Sequence, residues 1–261
     1  MALNNLRTSA VQKWLVLALS LVLVLMTALL WSRPTAAQTS NTHSESALVI
    51  PQSKSALFVG DSFTAAAGVG GNGRSAYPFL ACAAVGWGCN VDAQGGTGYI
   101  DDGHQFRAGI QQEHAGTQKA IDRLDGDKAR YIVDVLVADL GRNDIGVESA
   151  AAILDAITAF FTKARSFWPD AVFIAIVPTF IDPMPYDNYE PLKSGLALIA
   201  ENLNVKIIDP IADGWYRGVD TSAMEIEQDH IHPNAYGNQY ISERIQDSLA
   251  ALGVAAPRTV S

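Results

Sequence analysis

The chain has 261 residues, 49% of them apolar, with 18 basic against 27 acidic side chains and a net charge of −9. That is enough for one sizeable α/β core, and no second composition regime marks a second domain. An acidic balance of this size argues against nucleic acid or an anionic lipid surface as a partner.

Arg7 and Lys13 precede an apolar run over residues 14–31, followed by Ser32-Arg33-Pro34 and the small residues Thr35-Ala36-Ala37. Charged, apolar, small is the order of a secretory signal, so residues 1–37 are expected to be a signal peptide cleaved near Ala37. The run also reaches the lower limit for spanning a bilayer, which leaves an uncleaved signal anchor as the alternative. Either way the positive-inside rule sends the C-terminal side across the membrane. The protein is therefore expected to be secreted or anchored outside the cytoplasm, and it touches membrane only through this segment. Without residues 1–37 the chain keeps 15 basic and 27 acidic side chains, a net −12. Residues 38–54 are polar and rich in Ser and Thr, apart from Leu48-Val49-Ile50, and read as a tether. Residues 55–255 are left for the domain.

Its first expected strand, 56–59, runs into Gly60-Asp61-Ser62-Phe63, which places Ser62 at a strand-to-helix turn where backbone N–H groups face whatever it attacks. Standing alone, the tripeptide reads better as a helix N-cap. Cys82 and Cys89 follow. In an oxidising compartment their proximity favours a disulfide over two buried thiols. No CxxC pair or His–Cys cluster suggests a metal. The second strand, 90–93, leads into Gly95-Gly96-Thr97-Gly98-Tyr99, where glycine lets a carbonyl approach main-chain N–H groups, or simply makes a tight turn.

The strongest strand, 131–138, ends at Gly141-Arg142-Asn143-Asp144. The Asn143 amide could donate to a developing oxyanion, although Gly, Asn and Asp are also ordinary turn residues. A helix over 149–167, a strand over 171–177, a helix over 192–203 and a strand at 205–208 come next. The loops 180–189 and 213–216 carry aromatic and acidic residues that suit sugar recognition, or merely cover the core. Just before a last helix, 235–252, stands Asp229-His230-Ile231-His232-Pro233-Asn234. An Asp three residues ahead of a His can accept its Nδ1–H, leaving Nε2 to take a serine proton. His232 has that spacing and His230 does not.

Alternation of short apolar strands with helices predicts an α/β domain: a three-layer α/β/α sandwich, flavodoxin-like, around a five-stranded parallel sheet. Ligands bind such sheets at the carboxyl ends of the strands, where all four motifs fall.

In their order, Ser, Gly, Asn and Asp/His, the four motifs resemble the SGNH (GDSL-like) hydrolase family, over essentially the whole span from Ser55 to about Leu252. The resemblance implies the SGNH hydrolase fold, with nucleophile Ser62, base His232 and orienting acid Asp229. It also implies an oxyanion hole from the N–H groups of Ser62 and Gly96 and the Asn143 side chain, with Gly98 taking the glycine's place if the loop is registered two residues later. Asp61 is read as structural. Arg142 fills a position that the family pattern leaves variable, and is expected either to touch substrate or to sit in solvent.

The expected reaction is hydrolysis of a carboxylic ester through an acyl-enzyme, with no cofactor and no metal. It should fail on the acid side, as His232 is protonated. The expected substrate is a small-molecule or glycan ester with a short acyl group, such as acetyl on a carbohydrate, and nothing in the chain calls for an oligomer. Two alternatives compete: a cell-surface O-acyltransferase using the same triad, and a non-catalytic glycan-binding module on this fold.

Overall fold

The computed structural model describes residues 53–70, 73–104, 116–182 and 184–258. The expected leader, 1–37, and all but the last two residues of the expected tether lie outside the described residues. Strands and helices alternate in the order β1 (Ser55–Gly60), a 3-10 turn (Ala67–Val69), α1 (Tyr77–Val85), β2 (Gly88–Ala93), α2 (Ala120–Arg130), β3 (Val135–Asp139), α3 (Ala150–Phe167), β4 (Val172–Ile176), α4 (Tyr189–Leu203), β5 (Val205–Ile208) and α5 (Ala235–Ala251).

All five strands pair in parallel, in the order β2-β1-β3-β4-β5. Side chains alternate across the sheet, so consecutive residues of one strand feed two different cores. Leu57 and Val59 of β1 join Leu136, Phe173 and the inner faces of α2, α3 and α4. Ala56 and Phe58 join Val137, Ile174 and the inner faces of α1 and α5. The result is the expected three-layer sandwich. Gly60 lies level with both Ala93 and Asp139, so the carboxyl ends of β1, β2 and β3 finish in one row. Chain order reverses between β1 and β3, the switch point where a sheet of this type opens a crevice.

Several sequence expectations shift. The strand expected over 131–138 starts only at Val135: the Tyr131 N–H still donates to the Asp127 carbonyl at the end of α2, and Ile132 is 83% exposed. Helices α1 and α2 escape an apolar-periodicity search for different reasons. The Ala-rich α1 has no polar face to set off an apolar one, and α2 buries Arg123 and Asp127 on the face that should read as apolar. Ser149 proves to be the N-cap of α3, its Oγ accepting the Ala152 N–H at 3.2 Å. The expected disulfide is present, joining Cys82 of α1 to Cys89 of the edge strand β2 across a Cα separation of 5.8 Å.

Candidate active site

Ser62 does not start an α-helix. It sits in a coil of successive turns between β1 and the short 3-10 segment, closed by Ala65 N–H to Asp61 O (2.9 Å) and Ala67 N–H to Ser62 O (3.0 Å). The N-cap reading of this serine is therefore set aside. Asp61 is fully buried beneath the turn, with Oδ1 accepting the Phe63 N–H at 2.9 Å.

The loop after β2 is held by a neighbour. Asp144 is buried, and its carboxylate accepts N–H groups from Tyr99 (2.8 Å), Ile100 (3.2 Å) and Asp101 (2.9 Å). This seat explains Gly98, where a Cβ would stand 2.3 Å from the Asp144 carboxylate. Gly96 adopts φ +75°, a left-handed conformation that glycine takes without strain. The two candidate donors are thereby separated. The Gly98 N–H is committed to the Asp101 carbonyl at 2.8 Å, whereas the Gly96 N–H has no acceptor among the described residues. Asn143, beside Asp144, gives one amide hydrogen to the Thr97 carbonyl at 2.8 Å, so its second points elsewhere.

Ahead of α5, the Asp229 carboxylate works on both sides. Oδ2 lies 2.6 Å from His232 Nδ1, while Oδ1 accepts the N–H groups of Ile231 (2.9 Å) and His232 (3.0 Å). Burial alone would raise this carboxyl, but hydrogen bonds from the His232 ring and from the backbone outweigh it and hold Asp229 below the usual carboxylate range. His230 takes φ +53°, turning the chain so that His232 and not His230 faces Asp229. Asn234 fastens the loop from behind by donating to the carbonyls of Ala223 (2.8 Å) and Glu225 (2.9 Å) while capping α5 at Gly237 N–H (3.0 Å).

Contacts join these loops pairwise. The Phe63 ring, next to Ser62, meets the His232 imidazole at 5.7 Å between centroids. Gly68 approaches the Pro233 carbonyl so closely that a Cβ would stand 2.4 Å from it. Asn143 ties the third loop to the second through Thr97, and Arg142 ties it to the first through Asp61. Ser62, Gly96, Asn143, Asp229 and His232 thus belong to one row of loops at the carboxyl edge of the sheet, and all five are half-buried. Among the described residues no cluster of His, Cys, Asp and Glu could hold a metal ion.

Arg142 is where the structure departs most from the sequence reading. It is only 6% exposed and neither faces solvent nor is free to reach a substrate. Its guanidinium pairs with Asp61 (3.2 Å) and Asp139 (2.7 Å) and donates from Nε to the Thr179 carbonyl at 2.6 Å. Burial disfavours its charge, but Asp139 and Asp61 more than compensate, raising its already high pKa. Below it, the buried Tyr77 hydroxyl donates to Asp139 and is 2.7 Å from Thr64 Oγ1. No sequence pattern distinguishes an arginine buried between two carboxylates from one in solvent.

The aromatic loops divide. Trp215 and Tyr216 are buried and cover the core, and Tyr189 is buried with its hydroxyl on Asp209 (2.8 Å). Phe180 is 37% exposed and meets the Phe63 ring edge-on at 6.1 Å, on the same ring that touches His232. Carboxylates gather nearby: Glu225 is raised by burial and by Asp229 and Asp182, with His230 opposing, which brings the loops after β4 and before α5 into electrostatic reach.

Comparison with known proteins gives the family and the fold. The model of the GDSL-like Lipase/Acylhydrolase family matches residues 58–240. The GDSL lipase Rv0518 of Mycobacterium tuberculosis is 27% identical over 195 residues, covering 72% of this chain and 78% of its own. A family two carbohydrate esterase from Clostridium thermocellum, solved with cellohexaose, superposes with a TM-score of 0.57 at 18% identity; the match covers 77% of this chain and 65% of the other. Est24, a carbohydrate acetylesterase from Sinorhizobium meliloti, gives 0.56 at 15% identity over 76% of this chain and 99% of its own. With the family's motifs on adjoining loops and its model matching most of the domain, the chain belongs to the GDSL-like lipase/acylhydrolase family and is a carboxylic ester hydrolase.

Proposed function

We propose that the protein is an exported serine esterase that removes short acyl groups, acetyl above all, from carbohydrate esters. The observation that carries the mechanism is the 2.6 Å contact between Asp229 and His232 Nδ1, on a ring that packs against the residue following Ser62. With Nδ1–H held by the carboxylate, Nε2 keeps its lone pair. Ser62 Oγ attacks the ester carbonyl and its proton passes to Nε2. The oxyanion is met by the N–H groups of Ser62 and Gly96 and the second Asn143 amide hydrogen. His232 then returns the proton to the departing alcohol, and water repeats the cycle on the acyl-serine to release the acid.

The carbohydrate assignment is supported by the structural neighbours, two of them esterases of carbohydrates, and by the exposed Phe180 ring, on the loop that also carries Asp182, at the edge of the site. Apolar sugar faces stack on such rings while their hydroxyls bond to carboxylates. Export is supported by the apolar run over residues 14–31 and by the Cys82–Cys89 bridge.

The test is hydrolysis of p-nitrophenyl acetate, butyrate and octanoate, and acetate release from an acetylated oligosaccharide, by the wild type beside Ser62→Ala. Turnover that favours acetate and vanishes in the variant is the expected result. Equal rates in the two proteins would sink the serine mechanism, and a preference for octanoate would sink the short-acyl assignment.

A further inference from the structure

We propose that Arg142 is the positioning residue of this site, the one side chain that sets the Ser62 turn, the Asn143 loop and the Phe180 loop in register; the inference rests on the serine mechanism above. Two of its hydrogen-bond partners, and Arg142 itself, lie one residue away from a group at the site. Asp61, paired with Nη1 at 3.2 Å, precedes Ser62. Thr179, whose carbonyl accepts from Nε at 2.6 Å, precedes Phe180. Arg142 itself precedes Asn143. The second Nη reaches Asp139 at the end of β3 (2.7 Å), which is braced from below by Tyr77. The guanidinium also lies over the Phe63 ring, 4.3 Å from its centroid, and that ring carries His232 at 5.7 Å and Phe180 at 6.1 Å.

Three donors in one rigid plane are what arginine offers and lysine lacks. A lysine ammonium at the same place keeps the positive charge between Asp61 and Asp139, but cannot hold both carboxylates and the Thr179 carbonyl in that fixed geometry. The ends of β1, β3 and β4 would then relax independently. Oxyanion donors act over a few tenths of an ångström, and a misplacement of about 1 Å costs roughly 10²-fold in rate. Arg142 touches no reacting atom, so its loss should appear in kcat and not in KM.

The experiment uses the full chain with p-nitrophenyl acetate, and a fluorophosphonate to measure the capture rate of Ser62. Arg142→Lys should lower kcat by about 10- to 100-fold, leave KM within about twofold, and slow capture by the same factor as kcat. Combined with Asn143→Ala it should cost less than the product of the two separate losses, because part of the Arg142 effect passes through the Asn143 donor. Global loosening of the fold would instead multiply. Should Arg142→Lys lack a cooperative melt, Asp139→Asn carries the test, with a smaller fall of about 3- to 10-fold and the same unchanged KM. A folded Arg142→Lys protein with wild-type kcat overturns the proposal, as do losses that multiply in the double variant. Failure of the wild type to be captured at all would sink the serine mechanism itself. Capture of wild type and variant at equal rates would remove only the role given to Arg142.

Discussion

Replacing Asp229 by Asn tests the orientation of the base with little change in shape. The carboxylate uses one oxygen for the N–H groups of Ile231 and His232 and the other for His232 Nδ1. An amide can serve only one side. If its oxygen stays with the two backbone donors, its NH₂ faces Nδ1, which must then accept; the ring proton moves to Nε2, and Nε2 has no lone pair for the Ser62 proton. If the amide turns over, its NH₂ faces two backbone donors and the loop loses the bonds that shape it. The first arrangement keeps two backbone hydrogen bonds and is favoured, so the fold survives and the chemistry does not. A base locked in the wrong tautomer costs a serine hydrolase about 10⁴ in kcat, which is about 5.4 kcal/mol of barrier. Because Asp229 is half-exposed, water can relieve part of this, and a fall of about 10³–10⁴ is expected. The assay is kcat on p-nitrophenyl acetate with a thermal melt on the same samples. Asp229→Asn protein that melts like the wild type and keeps more than about a tenth of its kcat would refute the assigned role. The pH sign follows from the depressed carboxyl. Its contribution to loop stability is present above the ordinary carboxylate range and is lost as pH falls through the lower folded value, so Asp229 stays ionised throughout a neutral assay.

Other perturbations separate the remaining parts. Asn143→Ala removes the side-chain oxyanion donor and should lower kcat by about 10²–10³ with KM little changed; a fall in affinity alone would reassign it to substrate binding. Asp144→Ala leaves three N–H groups, two of them buried, without their acceptor, at about 1 kcal/mol or more for each buried one, partly offset by relief of a buried charge. A net loss of about 2–4 kcal/mol would lower the melting temperature by roughly 5–15 °C in a domain of this size, and a calorimetric midpoint within a degree of the wild type would contradict it. Asp127, buried behind Arg123, is pushed up to about 7, first by burial and then by the nearby Asp92 carboxylate. A folded carboxyl above its unfolded value holds a proton that the unfolded chain releases, so stability declines as pH rises from the ordinary carboxylate range through about 7. Asp127→Asn removes that decline: the variant's melting temperature should gain on the wild type between pH 5 and pH 8, and a constant difference would show that Asp127 does not titrate there.

What the sequence disclosed and what it concealed divide along burial. Ser62, Asn143, Asp229 and His232 were legible because each stands at a strand end or helix entry, where the chain must turn and polar residues are conspicuous against apolar strands. The sheet was legible for the same reason, since fully buried parallel strands are short apolar runs. Arg142, Asp139 and Tyr77 were not, because a polar residue beside a strand is read as solvated unless its partners are known, and those partners come from positions 62 and 81 residues away. Helix α2 was missed on the same ground: Arg123 is buried because it reaches Asp92 (3.1 Å) and the Gly60 carbonyl (3.2 Å), which no local pattern announces.

The two buried arginines also show what the edge of the sheet requires. Strands β1, β2 and β3 end level, so the turns beyond them lie side by side past the last hydrogen bond between β1 and β2, from Gln94 N–H to the Gly60 carbonyl (3.1 Å). Arg123 joins the end of β1 to β2 through Gly60 and Asp92, and Arg142 joins β1, β3 and β4 through Asp61, Asp139 and Thr179. Both cations are matched by aspartates that are buried or, in Asp92, half-buried, an arrangement that seldom exceeds well-packed apolar residues in stability. Its return is geometric. Hydrophobic packing fixes the two faces of the sheet but not the relative heights of its loops, whereas planar guanidinium forks set those heights to within a hydrogen-bond length. In the mechanism proposed above the nucleophile, donors and base come from different loops and depend on those heights, so the charge buried beneath the site is assigned a positioning role for the half-exposed residues above it.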